Sequence, residues 1–263
     1  MPTFETPEPI NADLDVEVGS ARLIAAERST TVVDVRPANA RRRADVEAAE
    51  ATQVHFAGGR LEVKGPMARK LGLFGRPGAI AVVVELPTGS EVRGQTAWGD
   101  FDTVGRLGDC SFKTSYGSLR VEEVGAVDLH TASGEITVGR VAGAAEISSS
   151  SGNIRVGESG GDAEIKTAAG DIRVQKARAG VRARTAYGQV RVAEAERGVL
   201  TLATSYGGVE VGVIAGTATF LDLTSGHGKV RNELEQSDDG PRSAETLTVR
   251  ARTSYGDITI RRA

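Results

Sequence analysis

Along most of this chain, small or apolar residues alternate with polar ones at a period of two, in short runs that break at a glycine and then resume. Val127, Leu129 and Thr131 precede Gly134, and Ile136 and Val138 follow it. The next stretch repeats the pattern with Ala145, Ile147 and Ser149 before Gly152 and Ile154 and Val156 after it, and the one beyond with Ala163, Ile165 and Thr167, then Ile172 and Val174. A period of two over four to eight residues marks a strand with one face buried. Seven residues past each glycine a further slot reads Val124, Val141, Ser159, Ala177, Ala195 and Ile214, which predicts a third inward corner.

The glycines are Gly99, Gly117, Gly134, Gly152, Gly170, Gly188, Gly207, Gly228 and Gly256, at successive separations of 18, 17, 18, 18, 18, 19, 21 and 28. Self-similarity at a fixed period is the signature of a solenoid, in which each repeat buries its apolar face only against its neighbours. The predicted fold is therefore an all-β, single-stranded β-solenoid of about 18 residues per coil, expected to be right-handed and three-sided, about 40 Å long at the strand spacing of about 4.8 Å. A glycine at each turn meets the need for positive φ at one position.

Residues 1–95 do not follow the period. Runs at Leu14–Leu23, Thr31–Arg36, Gln53–Val63 and Ala79–Leu86 read as strands, Asp45–Thr52 as a short helix and Lys64–Gly78 as a loop. The expected organisation is an irregular β section over 1–95 that caps and continues the stack, then regular coils over 96–263 interrupted by an acidic loop at 233–245. Open strand edges on the terminal coils make end-to-end self-association conceivable, and the irregular C-terminal insertions argue for a cap instead.

Segments such as RLGDCSFKTSYG, GKVRNEL and RARTSYGDITIRR, with the opening MPTFETPEPI, resemble an actinobacterial family of β-strand-repeat proteins of unknown function whose members are labelled candidate adhesins. The resemblance covers essentially the whole chain. It implies the solenoid fold and, through the label, binding to a cell-surface or carbohydrate ligand; it implies no catalytic residues.

Composition narrows the function classes. With 32 Lys and Arg against 35 Asp and Glu, the formal charge is -3, so the molecule has no overall field to draw in nucleic acid. The start of the chain has no basic and apolar leader pattern and no apolar run could span a bilayer, from which a cytoplasmic location is expected. The single Cys110 falls on an inward slot and reads as a buried structural thiol. No motif calls for a cofactor, and the histidines and Cys110 lack metal-ligand spacing.

Candidate chemistry lies in the columns beside the glycines. The position before the glycine reads Trp98, Tyr116, Ser133, Ser151, Ala169, Tyr187, Tyr206, His227 and Tyr255, and so gathers every tyrosine and the only tryptophan. Such a column either packs the turn edge or offers rings to a ligand. In the second reading Ser133, Ser151 and Ala169 floor a shallow groove between Trp98 and Tyr116 at one end and Tyr187 and Tyr206 at the other. Glu135 and Asp171, two coils apart, are the only carboxylate pair worth weighing for glycoside chemistry, against their ordinary use in turns. Arg155, Arg173 and Arg191 form a column able to bind an anion or simply to stand solvated. The sequence thus predicts a non-enzymatic scaffold whose partner is a protein or a second copy, with a glycan as the alternative.

Overall fold

The computed structural model describes residues 1–66, 77–234 and 246–263. Most of the loop expected at 233–245, and most of the one expected at 64–78, lie outside those residues. The chain consists mostly of strands, the majority of them paired parallel, and it divides into two compact units, Met1–Ser133 and Gly134–Ala263. Among the described residues no helix is long and apolar enough to cross a membrane.

In the first unit the strands are β1 (Thr3–Glu5), β2 (Asn11–Ala26), β3 (Thr30–Pro37), β4 (Gln53–Ala57), β5 (Arg60–Lys64), β6 (Ile80–Pro87), β7 (Glu91–Trp98), β8 (Phe101–Val104), β9 (Cys110–Tyr116), β10 (Leu119–Val124) and β11 (Val127–Ser133), with one helix, α1 (Arg43–Ala51). Strand β2 is a whole coil by itself. It bends at Gly19, with Ala12, Leu14 and Val16 buried before the bend and Ala21, Leu23 and Ala25 after it. Its first half lies parallel between β5 and β7, and its second half between β6 and β8. Gly19 thus heads the turn column: a Cβ on Gly99 would lie 1.5 Å from the Gly19 carbonyl oxygen. The 18-residue period hides this coil, because its neighbours in the stack arrive only after β3, α1 and β4 have intervened.

The outer side of the unit changes to antiparallel pairing. Strand β4 pairs antiparallel with β5, β3 with β6, and β1 with β3. Helix α1 forms where the sequence predicts it. Its Asp45 is buried, accepts the Ala79 N–H at 2.9 Å and pairs with Arg42 at 3.2 Å, fixing the start of β6.

The second unit carries the regular coils. One sheet holds β13 (Ala145–Ser151), β15 (Ala163–Ala169), β17 (Val181–Tyr187), β19 (Gly198–Tyr206), β23 (Thr246–Tyr255) and β21 (Ala218–His227), in that spatial order. The other holds β12 (Ile136–Val141), β14 (Ile154–Ser159), β16 (Ile172–Ala177), β18 (Val190–Ala195), β20 (Val209–Val213), β24 (Ile258–Arg262) and β22 (Val230–Asn232). The last coil in the sequence is therefore not last in space: β23 and β24 lie between the coil of β19 and β20 and the coil of β21 and β22. Identical slots stack into columns, and Ile147, Ile165, Ala183, Leu202 and Ala251 are all buried.

The third inward corner forms by a slip in the alternation. In β12, Ile136 and Val138 point inward and then Val141 does, one residue later than strict alternation would give. Ser159, Ala177 and Ala195 repeat it. In the next coil the corner falls on Val213 rather than the expected Ile214, because the register between β18 and β20 shifts after Val192.

Candidate functional site

The turn glycines have two causes, of which sequence supplies only one. Gly117, Gly152, Gly170, Gly188, Gly207 and Gly256 have φ between 146° and 150°, a region L side chains rarely adopt. In the second unit Gly152, Gly170, Gly188, Gly207 and Gly256 also stack directly on one another. A Cβ on Gly188 would stand 2.1 Å from the carbonyl oxygen of Gly170, and one on Gly256 2.0 Å from that of Gly207.

That carbonyl is the acceptor for a second column, three residues before the next glycine. Thr167 donates its hydroxyl to Gly152 O at 3.2 Å, Thr185 to Gly170 O at 3.0 Å, Thr204 to Gly188 O at 2.9 Å and Thr253 to Gly207 O at 2.9 Å. A buried hydroxyl needs a partner, and in this stack the turn carbonyl provides it. Each glycine N–H in turn donates to the carbonyl of the residue before the next glycine: Gly170 to Tyr187, Gly188 to Tyr206, Gly207 to Tyr255 and Gly256 to His227, all at 2.8–2.9 Å.

These bonds hold the aromatic side chains in register. In the second unit the rings of Tyr187 and Tyr206 stack at 5.2 Å and 5°, Tyr206 and Tyr255 at 5.0 Å and 2°, and Tyr255 and His227 at 4.7 Å and 7°. All four residues are exposed. The ladder runs in the order 187, 206, 255, 227, which the sequence could not give because the spatial order of the last two coils is reversed. Within the ladder the ring faces cover each other, so what faces outward is a row of ring edges and polar tips. The face of Tyr187 turned away from Tyr206 looks toward Ala169, whose register partner it is, and Ser151 follows one coil on.

Of the remaining aromatic-column candidates, Trp98, Tyr116 and Ser133 belong to the first unit. Trp98 and Tyr116 are register partners there and meet edge to face, 6.1 Å apart at 82°. Ser133 lies opposite Tyr116.

The acidic candidates bind the turn and strand of the following coil. Asp171 accepts the Gln189 N–H at 2.9 Å through one oxygen and Arg173 at 2.8 Å through the other, while Asn153 accepts the Asp171 N–H at 2.9 Å. Glu135 accepts from Asn153 at 3.2 Å and Arg155 at 3.0 Å. Asp257 and Lys229 repeat the Asx arrangement at 2.9 Å. These side chains tie each turn to the next coil.

Arg155, Arg173 and Arg191 do form a column in register. Each has a carboxylate beside it: Glu135, Asp171 and, at 3.6 Å, Glu210, which also takes Arg261 at 2.9 Å. An anion would have to compete with those partners. Cys110 is buried, and burial, with a smaller contribution from Asp128, pushes its thiol up to about 12, so the side chain stays a neutral part of the core. Among the described residues no group of three or more His, Cys, Asp or Glu side chains is placed to hold a metal ion.

The fold and this surface define a parallel β-solenoid that carries an ordered aromatic ladder. The family model Toastrack DUF4097 matches residues 39–261, and the chain belongs to that family. Two solved structures share the architecture. A candidate adhesin from Bacteroides fragilis is 11% identical, with a TM-score of 0.50, and the match covers 98% of this chain and 95% of that one. A candidate adhesin from Parabacteroides merdae is 13% identical, with a TM-score of 0.51, and the match covers 100% of this chain and 95% of that one. At such identities the likeness concerns the fold. No curated protein matches the chain.

Proposed function

We propose that this protein is a non-enzymatic solenoid scaffold and that Tyr187, Tyr206, Tyr255 and His227 form the strip by which it contacts a partner protein. One observation carries the reading: the rings are surplus to the turn that bears them. Ala169 and Ser151 occupy the same column without a ring, and the same backbone bonds close there, with Gly152 N–H donating to Ala169 O at 2.9 Å and Gly134 N–H to Ser151 O at 2.9 Å. Exposed rings concentrated on four consecutive coils are thus a surface feature rather than a requirement of the repeat. Aromatic side chains are enriched at interfaces because they bring large contact area while immobilising few rotors, and these are already immobilised by stacking. The names of the structural relatives fit a binding role of this general kind.

The test is a photoreactive amino acid in place of Tyr187 in the full chain, cross-linked in the source cells, with and without the double change Tyr206→Ala and Tyr255→Ala. A discrete adduct that disappears in the double variant supports the strip, and its mass separates a second copy of the chain from another protein. No discrete adduct, or one indifferent to the double change, refutes it.

A further inference from the structure

Strands β17, β19 and β23 lie side by side in the second unit, and their outward residues fall in rows across the sheet. One row reads Arg182, Thr201, Arg250, and the next, two residues along, reads Arg184, Ala203, Arg252. The arginines alternate with buried Val181, Ala183 and Thr185 on β17 and with buried Val249, Ala251 and Thr253 on β23, and all four are exposed. Between them β19 offers only the short Thr201 and Ala203. A trough therefore runs along β19, walled by arginines whose backbones are about 10 Å apart, two strand spacings. The same three strands end in Tyr187, Tyr206 and Tyr255, so the trough leads to the tyrosine ladder. Its charge is not neutralised from within. Arg252 pairs with Asp222 at 3.7 Å, whereas among the described residues Arg182, Arg184 and Arg250 have no carboxylate within ion-pair distance. Glu164, the register partner of Arg182, is taken by Lys166. That hydrogen bond, and less strongly the charges of Arg182 and Arg184, hold its carboxyl below the usual range. The Arg155, Arg173 and Arg191 column is the contrast, since each of its members has a carboxylate beside it. Like charges gathered on one sheet face repel each other, so this cluster costs the fold rather than supporting it.

We propose that this trough receives an acidic segment of the partner protein, an extended stretch with carboxylates at alternate positions. The inference rests on the contact strip proposed above and names what its partner brings. Side chains on one face of an extended peptide recur at about 6.7 Å, the interval that also separates Arg182 from Arg184 and Arg250 from Arg252 along their strands. A guanidinium holds a carboxylate through paired, charge-assisted hydrogen bonds. Where the trough meets the ladder, ring edges carry the positive side of the aromatic quadrupole and phenol hydroxyls can donate, which again suits a segment rich in acceptors. A nucleic acid fits less well. The ring faces of Tyr187, Tyr206 and Tyr255 cover one another and leave no series of faces on which successive bases could stack. Glu164 and Asp222 border the arginines on both sides, so the positive surface is too short to track a polyphosphate chain.

The experiment titrates the full chain into an end-labelled, alternating Glu-Ser decapeptide, followed by fluorescence anisotropy, and separately into labelled decathymidylate. The peptide is expected to bind saturably at about 0.1 M salt and to be released at about 1 M. The double change Arg182→Gln and Arg250→Gln should raise its Kd about tenfold or more, while Arg155→Gln, in the column that is already paired, leaves it unchanged. Circular dichroism checks that the variants fold. The same double arginine change should also remove the cross-linked adduct formed at position 187. Three results overturn the proposal: no saturable binding of the peptide, a Kd that the double arginine change leaves intact or that Arg155→Gln raises as much, or tighter binding of decathymidylate, which would make the trough a nucleic-acid site. An adduct that survives the arginine change but vanishes with Tyr206→Ala and Tyr255→Ala also overturns it and leaves the contact strip standing. Arginine-dependent peptide binding with no adduct at all supports the trough and refutes the strip.

Discussion

Replacing a single turn glycine tests the stacking argument directly. Gly188→Ala combines a φ of 146° with a Cβ 2.1 Å from a backbone oxygen that cannot swing away, so it should cost about 2–5 kcal/mol in chemical denaturation. Gly216, also at positive φ but with nothing within 4 Å, should lose only about 1 kcal/mol on the same change. Equal losses at the two sites would show that φ, not stacking, sets the requirement. Thr185→Val keeps the shape but leaves the Gly170 carbonyl without its hydroxyl, and about 1 kcal/mol should go. The Cys110 thiol ionises with difficulty in the fold, near 12, against about 9 when exposed. A raised acid pKa gives stability that is whole below the unfolded value and is lost as pH climbs toward the folded one. Between pH 9 and 12 the wild type should therefore lose roughly 4 kcal/mol more than Cys110→Ala, read from urea midpoints along the pH series.

At the scale of elements, both units insert a coil between segments that lie far from it along the sequence. Strand β2, near the N-terminus, lies between the β5 and β6 coil and the β7 and β8 coil, and β23 and β24, at the C-terminus, lie between earlier coils. A strand on an outer edge opens more readily; one paired on both edges is held by twice as many backbone bonds. Hydrogen exchange should therefore find the β23 amides more protected than those of β21, although β23 comes later in the chain. The reverse order of protection would contradict the placement. Half-buried Leu221 and Leu223 and exposed Phe220 show what β21 gives up by having, among the described residues, a partner strand on one edge alone. The antiparallel β4, β3 and β1 do the converse for the first unit, covering β5 and β6 with strands that no longer follow the repeat.

At the scale of the molecule, the proposed contact strip lies wholly in the second unit. Losing the ring stacking with Tyr206→Ala and Tyr255→Ala should cost about 1–3 kcal/mol in the second unit, read from urea midpoints, and abolish partner cross-linking. The coils, their length, the helix at α1, the buried Cys110 and the column that holds the rings were legible in the residues, because a period-two pattern repeated every 18 residues leaves one way to bury the same slots. Their spatial order was not. Nothing in TSYGDITI distinguishes a coil that ends the stack from one inserted a place earlier, since both present the same apolar slots, and Gly19 looks like any strand glycine until Gly99 is seen against it. The partners of Asp45, Asp171 and Arg155 were equally hidden, because a charged residue's type says that it needs water or a counter-charge and only packing says which. The sequence by itself determined the repeat and its buried faces, through local alternation; the tertiary structure alone decided which coil neighbours which, and hence that four rings form one ladder, because that depends on contacts between segments far apart along the chain.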